Sequence, residues 1–193
     1  SFFYAFIPDL LHRTTAGIPE LESAGVLFFW LAFFFFLRAL HSEKKIFSIN
    51  RSYLLAFASG ISTAFMIFTW GGFRFIFYSL SIATLIALLI GKIGKKETIV
   101  YSLWFIPTLA FAVIKSGVRE AAFDVTYGAI PLFVFLVLLL NILFGEKIGR
   151  KAKEIFKKEW ITKEIASLVL VFVFGILAVL ILDSSLFFGM LEA

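Results

Sequence analysis

Two carboxylates one residue apart, Glu20 and Glu22, close a segment that reads His12-Arg13-Thr14-Thr15-Ala16-Gly17-Ile18-Pro19-Glu20-Leu21-Glu22. Carboxylate oxygens are hard donors suited to Mg²⁺ or Mn²⁺. An extended Glu20-Leu21-Glu22 would aim both side chains the same way, whereas on a helix they would diverge by about 200°. Pro19 disfavours helix at Ile18, and Gly17 admits an unusual backbone angle. The alternative is structural: Pro19 opens a helix, and acids in its first turn complement the macrodipole. Arg13 is the only basic residue of this segment. It could pair with Glu20 or Glu22, bind a phosphate, or anchor the segment at an interface. A second cluster reads Thr69-Trp70-Gly71-Gly72-Phe73-Arg74. Its glycines permit a tight turn and its Trp suits a membrane–water boundary, as in an ordinary hairpin. Arg74 interrupts about 40 residues of apolar chain, and such a residue pairs with an acid or faces a water-filled cavity.

The elements that position these residues must be membrane spans. Of 193 residues, 61% are hydrophobic and only 16% charged, with 27 Phe and no Cys; mean hydropathy is +1.00. That much apolar surface cannot fit inside one soluble core. A soluble enzyme, a nucleic-acid-binding module and a disordered chain are excluded. The missing cysteines exclude a disulfide scaffold and Cys-ligated zinc or iron–sulfur, and His12 and His41 alone make a His-rich metal site untenable. Six runs carry no Asp, Glu, Lys, Arg or His: 15 positions between Glu22 and Arg38, 22 between Arg51 and Arg74, 17 between Arg74 and Lys92, 17 between Glu97 and Lys115, 21 between Asp124 and Glu146, and 18 between Glu164 and Asp183. A spanning helix needs about 20 residues, and Arg38 can snorkel to complete the short first run. The runs are apolar on every face, unlike the alternating strands of a barrel. The expected fold is therefore an all-α polytopic membrane protein, one domain over residues 1–193, with spans near 23–38, 52–71, 74–91, 98–115, 125–145 and 165–183.

Orientation follows from the basic residues. Fourteen of 18 fall in the connections 38–51, 92–97 and 146–164, leaving Arg13, Arg74, Lys115 and Arg119 for the other set. By the positive-inside rule the first set is cytoplasmic, and both chain ends lie outside. The net charge of +5 is then a matter of topology and not a nucleic-acid footprint. Segment 147–163 spaces Ile148, Ala152, Ile155, Phe156 and Trp160 at helical intervals among lysines, as expected of an amphipathic helix lying on the cytoplasmic surface against membrane lipid. Asn141 is expected to make a helix–helix hydrogen bond. The opening residues read as the end of a helix already under way, which suggests a piece of a larger membrane protein.

At this point the chain resembles a family. Ile7-Pro8-Asp9-Leu10-Leu11-His12-Arg13-Thr14-Thr15-Ala16-Gly17-Ile18-Pro19-Glu20-Leu21-Glu22 is similar to the outer loop of oligosaccharyltransferase catalytic subunits. There the loop reads Ile-x-Pro-x-x-x-x-Arg-Ser/Thr-x-Ala/Ser-Gly, two variable residues, then Asp-x-Asp or Asp-x-Glu. Pro8, Arg13, Thr14, Ala16 and Gly17 fall in register, and Glu20 and Glu22 take the acidic positions. About 50 residues on, family members carry Trp-Gly-Gly-aromatic, matched here by Trp70-Gly71-Gly72-Phe73. The motif match covers about residues 5–80. Glu stands at position 20 where Asp is usual.

The resemblance implies a partial GT-C-type glycosyltransferase membrane domain, of an archaeal-type enzyme in the plasma membrane. Its reaction would transfer an oligosaccharide from a polyprenyl- or dolichyl-phosphate carrier to Asn in an Asn-x-Ser/Thr sequon. Glu20 would be the Mg²⁺ or Mn²⁺ ligand, Glu22 its neighbouring acid, and Arg13 the arginine near the reacting groups. Trp70, Gly71, Gly72 and Arg74 would form the outer-turn motif. The family's first acidic motif lies upstream of this stretch. Its glutamate loop and Trp-Trp-Asp-Tyr-Gly motif lie downstream, so the chain alone would be inactive. Two other readings remain. A different polyprenyl-phosphate-dependent glycosyltransferase would share the acidic loop but not the sequon motif. A transporter or channel segment would place ionisable residues such as Asp, Glu, Lys, Arg or His deep in its spans, and the six runs contain none of these.

Overall fold

The computed structural model describes residues 21–42, 45–46, 49–114, 129–156 and 162–182. Among them six helices follow in order: α1 (Leu21–His41), α2 (Arg51–Thr69), α3 (Phe73–Leu89), α4 (Lys95–Ile114), α5 (Ala129–Phe156) and α6 (Lys163–Leu182). Two residues each of β1 (Lys45–Ile46) and β2 (Ile49–Asn50) pair antiparallel in the α1–α2 connection. The architecture is all-α and polytopic. Helices α1, α2, α4 and α5 are long and apolar enough to cross a membrane, and α3 is apolar over a shorter 17 residues.

Local chemistry sets several helix ends. The Asn50 side chain accepts from the Ser52 N–H at 3.1 Å and opens α2. Helix α3 ends at Leu89 and the chain turns away at Gly91, whose φ of +74° only glycine adopts cheaply. Lys92 N–H then donates to Ala87 O at 2.9 Å and Gly91 N–H to Leu88 O at 2.8 Å, closing the end in a Schellman-like turn. Glu97 reaches back to the Gly94 N–H at 2.9 Å, satisfying one of the free donors ahead of α4.

Helix α5 departs from the expectation. It continues unbroken through Phe156, so the basic segment expected as a separate surface helix is, over 147–156, the end of α5. Residues 157–161 lie outside the described residues. Lys, Arg and Glu are good helix formers. A charge therefore marks where the hydrocarbon ends without ending the helix. Twenty-eight residues span about 42 Å, more than the ~30 Å of bilayer hydrocarbon. Helix α6 packs back closely: a methyl group on Gly149 would sit 3.0 Å from Lys163 Cβ. Lys163 Nζ meets Glu146 Oε1 at 2.8 Å. The Glu146 side chain is exposed, so this pair contributes little.

Small and hydroxyl side chains line the closest helix approaches, Trp104, Tyr101, Met66 and Ile67 fill the core beside them, and many other large apolar side chains face outward. Helix α2 buries Ser52, Ala56, Ser59, Gly60, Thr63 and Ala64 along with Met66 and Ile67 and exposes Leu54, Phe57, Phe65 and Phe68. Helix α1 buries Ala32, Phe36 and Ala39 and exposes Leu27, Trp30, Phe34 and Leu37. In lipid, small residues let helices approach and hydroxyls bond across the gap. Ser52 Oγ donates to Ala39 O at 2.6 Å and Ser59 Oγ to Ala32 O at 2.7 Å, joining α2 to α1. Trp104 Nε1 donates to Thr63 Oγ1 at 3.0 Å and Thr108 Oγ1 to Gly60 O at 3.2 Å, joining α4 to α2. Tyr101 ties α4 to α3 through Ser81 at 2.8 Å and to α5 through Pro131 O at 3.2 Å. Lys96 Nζ donates to Leu40 O at 3.0 Å, bringing the start of α4 to the end of α1.

Thr63→Val keeps the shape of the residue but strands the buried Trp104 N–H. It is expected to cost about 1–2 kcal/mol in an equilibrium unfolding titration in mixed micelles. An unchanged midpoint would show that this bond contributes nothing.

Candidate functional site

The end of the bundle holding the start of α1 and the α2–α3 turn carries the residues of interest. The Trp70 N–H donates to Met66 O at 2.8 Å and closes α2, while its φ of −149° and ψ of 135° turn the chain outward. Gly71 and Gly72 follow, and the Phe75 N–H donates to Gly72 O at 3.0 Å as α3 begins. Phe73 is buried and meets Phe77 edge-on at 5.3 Å, which in turn meets Trp104 at 6.2 Å. The turn is thus anchored to the core. Arg74 is half-buried in the first turn of α3, and Phe75 is exposed.

The role first assigned to the glycines needs correction. Gly72 has φ −68° and ψ −2°, ordinary right-handed values open to any residue. It is glycine for want of space: a methyl there would lie 2.5 Å from Trp70 Cζ3 and 2.6 Å from Cη2. Gly71, by contrast, has nothing within 4 Å of such a methyl.

The same indole reaches α1. A methyl on Gly25 would collide with Trp70 Cβ and lie 3.0 Å from its Cγ. The two clusters picked out by sequence are therefore in contact, through a glycine three residues past Glu22 that the sequence reading passed over. A signal was present. A glycine inside a helix costs about 1 kcal/mol against Ala, so one among Leu and Phe marks a close approach.

Of the acidic segment, Arg13 and Glu20 lie outside the described residues. The backbone of Leu21 and Glu22 belongs to the first turn of α1. The extended Glu20-Leu21-Glu22 that would aim both carboxylates alike is therefore not adopted at its last two residues. Glu22 instead occupies the positive end of the helix dipole, where an acid is favoured. Among the described residues no three His, Cys, Asp or Glu side chains gather into a metal cluster. Asn141, expected to bond between helices, is buried, and its Nδ2 has no hydrogen-bond partner among the described residues.

Comparison with known proteins extends these observations. The family model "Oligosaccharyl transferase STT3, N-terminal" matches residues 1–191. The dolichyl-diphosphooligosaccharide–protein glycosyltransferase subunit STT3 of Saccharomyces cerevisiae is 25% identical over 142 residues, 69% of this chain and 18% of that protein. Subunit STT3B of Oryza sativa subsp. japonica is 24% identical over 141 residues, 68% of this chain and 18% of that protein. The matched stretch is thus less than a fifth of the length of either relative. No solved structure matches the chain. With nearly its whole length matched, carrying the acidic pair and the Trp70 turn on an all-α membrane scaffold, the chain belongs to the STT3 oligosaccharyl transferase family.

Proposed function

We propose that the chain is part of an oligosaccharyltransferase that moves a lipid-linked oligosaccharide onto the side-chain amide of Asn in an Asn-x-Ser/Thr sequon. The observation that carries this reading is the family match over residues 1–191, in a chain whose acidic pair and arginine fall in the expected register. A polyprenyl- or dolichyl-phosphate donor explains why the site is built on spans. Its sugar-bearing head group waits at the membrane surface, where α1 begins.

Glu20 is the principal metal ligand in this reading and Glu22 the neighbouring acid. The donor set fits Mg²⁺ or Mn²⁺, since both groups are carboxylates and the chain has no cysteine. When bound, such an ion supplies Lewis-acid and templating chemistry for the acceptor amide and departing phosphate. Arg13 lies near the reacting groups and balances their negative charge. Trp70, Gly71, Gly72 and Arg74 belong to the outer wall of the same site. The domain has six spans in the plasma membrane of an archaeal-type enzyme, with the basic connections inside and both ends of the chain outside; support for the orientation is the asymmetry of the 18 basic residues.

The test uses the full-length protein in liposomes with a lipid-linked donor and a sequon peptide. Chelation of divalent ions is expected to stop transfer, and Mn²⁺ to restore it. Transfer that proceeds equally with and without chelator would remove the metal role. Transfer to a sugar or lipid acceptor, with none to the sequon peptide, would favour a different polyprenyl-phosphate-dependent glycosyltransferase.

A further inference from the structure

We propose that Trp70 is a positioning residue: lodged between Gly25 of α1 and Gly72 of the α2–α3 turn, its indole fixes the first turn of α1 and thereby the end of the Arg13–Glu22 segment. This inference rests on reading that segment as the reactive site. The steric case is specific. Gly25 and Gly72 are both places where a single methyl would strike Trp70, whereas Gly71 beside them faces open space. Of the two adjacent glycines, the one that touches the ring is the one whose missing side chain the fold uses.

The wedge is held from behind. The Trp70 backbone is tied to Met66 O, and Phe73 is buried just beyond it. Further along α1 the seam with α2 continues through the Phe28–Phe65 stack at 5.3 Å and the Ser59–Ala32 and Ser52–Ala39 bonds. Trp70 meets α1 at Gly25, close to its first turn. Gly25 follows Glu22 by three positions, about one turn, so motion at Gly25 is passed directly to that residue. Catalytic constellations tolerate displacements of only about 0.5 Å. A rigid aromatic anchored on one side and clasped on the other can provide that constancy without touching substrate.

The experiment uses the full-length protein with nitroxide labels at Leu27→Cys and Phe75→Cys, both exposed positions. Their dipolar spectrum reports the separation of α1 from the start of α3 and needs no activity. Trp70→Ala is expected to broaden that spectrum and to raise the Mn²⁺ concentration for half-maximal transfer by about tenfold. Trp70→Phe, which keeps a flat ring against Gly25, is expected to restore the narrow spectrum and to stay within about twofold of wild type in Mn²⁺ dependence. Gly72→Ala should broaden the spectrum as Trp70→Ala does, and Gly71→Ala should leave it narrow. A spectrum unchanged by Trp70→Ala overturns the inference. So does a broadened spectrum with unchanged Mn²⁺ dependence in a protein that Glu20→Gln inactivates. If Glu20→Gln is itself harmless, the failure belongs to the site assignment, and the wedge is judged on the dipolar spectrum alone.

Discussion

Gly60→Ala is expected to be the most damaging single-methyl substitution in the described core. A Cβ at this position would lie 2.6 Å from Pro107 Cγ, 2.6 Å from Trp104 O and 3.2 Å from Leu103 O. Two of these neighbours are backbone and the third is a rigid ring, so none can swing aside. Pro107 sits inside α4 and has no N–H to give to the carbonyl four residues before it. Gly60 faces α4 just where its backbone is so interrupted. Forcing α2 and α4 apart would also lengthen the Thr108–Gly60 and Trp104–Thr63 hydrogen bonds. The combined loss is about 2–3 kcal/mol or more. In a thermal unfolding series in detergent, Gly60→Ala should lower the midpoint well beyond Gly71→Ala, whose added methyl meets nothing within 4 Å. Equal midpoints for the two variants would show that the α2–α4 approach is looser than described.

The second large effect belongs to the acidic segment. Glu20→Gln removes a charge and a hard ligand while keeping the length of the side chain. In the full-length protein it is expected to lower the rate of sequon glycosylation by about 100-fold or more. Arg13→Ala should lower it by about tenfold or more, through lost orientation and charge balance. Glu20→Asp keeps the carboxylate and places the shorter acid that the family favours, so it should retain much of the rate. If Glu20→Asp were as inactive as Glu20→Gln, the reach of the carboxylate would matter more than its charge. If Glu20→Gln and Arg13→Ala both left the rate unaltered, the site assignment would fall.

Much of the scaffold was legible because it depends on quantities that a sequence displays directly. Charge-free runs of 15–22 residues point to apolar helices, and each overlaps one of the six described helices. Helix ends were less legible, since Glu146 and Lys147 leave the apolar run without leaving helical geometry. That is why α5 reaches Phe156 where a separate surface helix was expected. The acidic pair and the Trp70 turn were visible as motifs, but their spatial relation was not. Contact between Gly25 and Trp70 joins residues 45 positions apart, and nothing local announces it. Gly72 shows the same limit from the other side. A glycine in a turn invites a backbone explanation, yet its φ and ψ are ordinary and its neighbour's ring is what excludes a side chain. Ser52, Ser59 and Thr63 are hydroxyl residues in an apolar run. Their importance comes from burial against a carbonyl or an indole on the next helix, which only the fold supplies.

The central claim is that the acidic segment of this chain serves transfer of a lipid-linked oligosaccharide to asparagine. The most direct measurement is mass spectrometry of a sequon peptide after incubation with the full-length protein, a polyprenyl-phosphate-linked oligosaccharide and Mn²⁺, with wild type and Glu20→Gln side by side. A glycan attached through the asparagine amide is expected in the wild-type reaction, and almost none with Glu20→Gln. An unmodified peptide in the wild-type reaction, or equal product from both proteins, would contradict it.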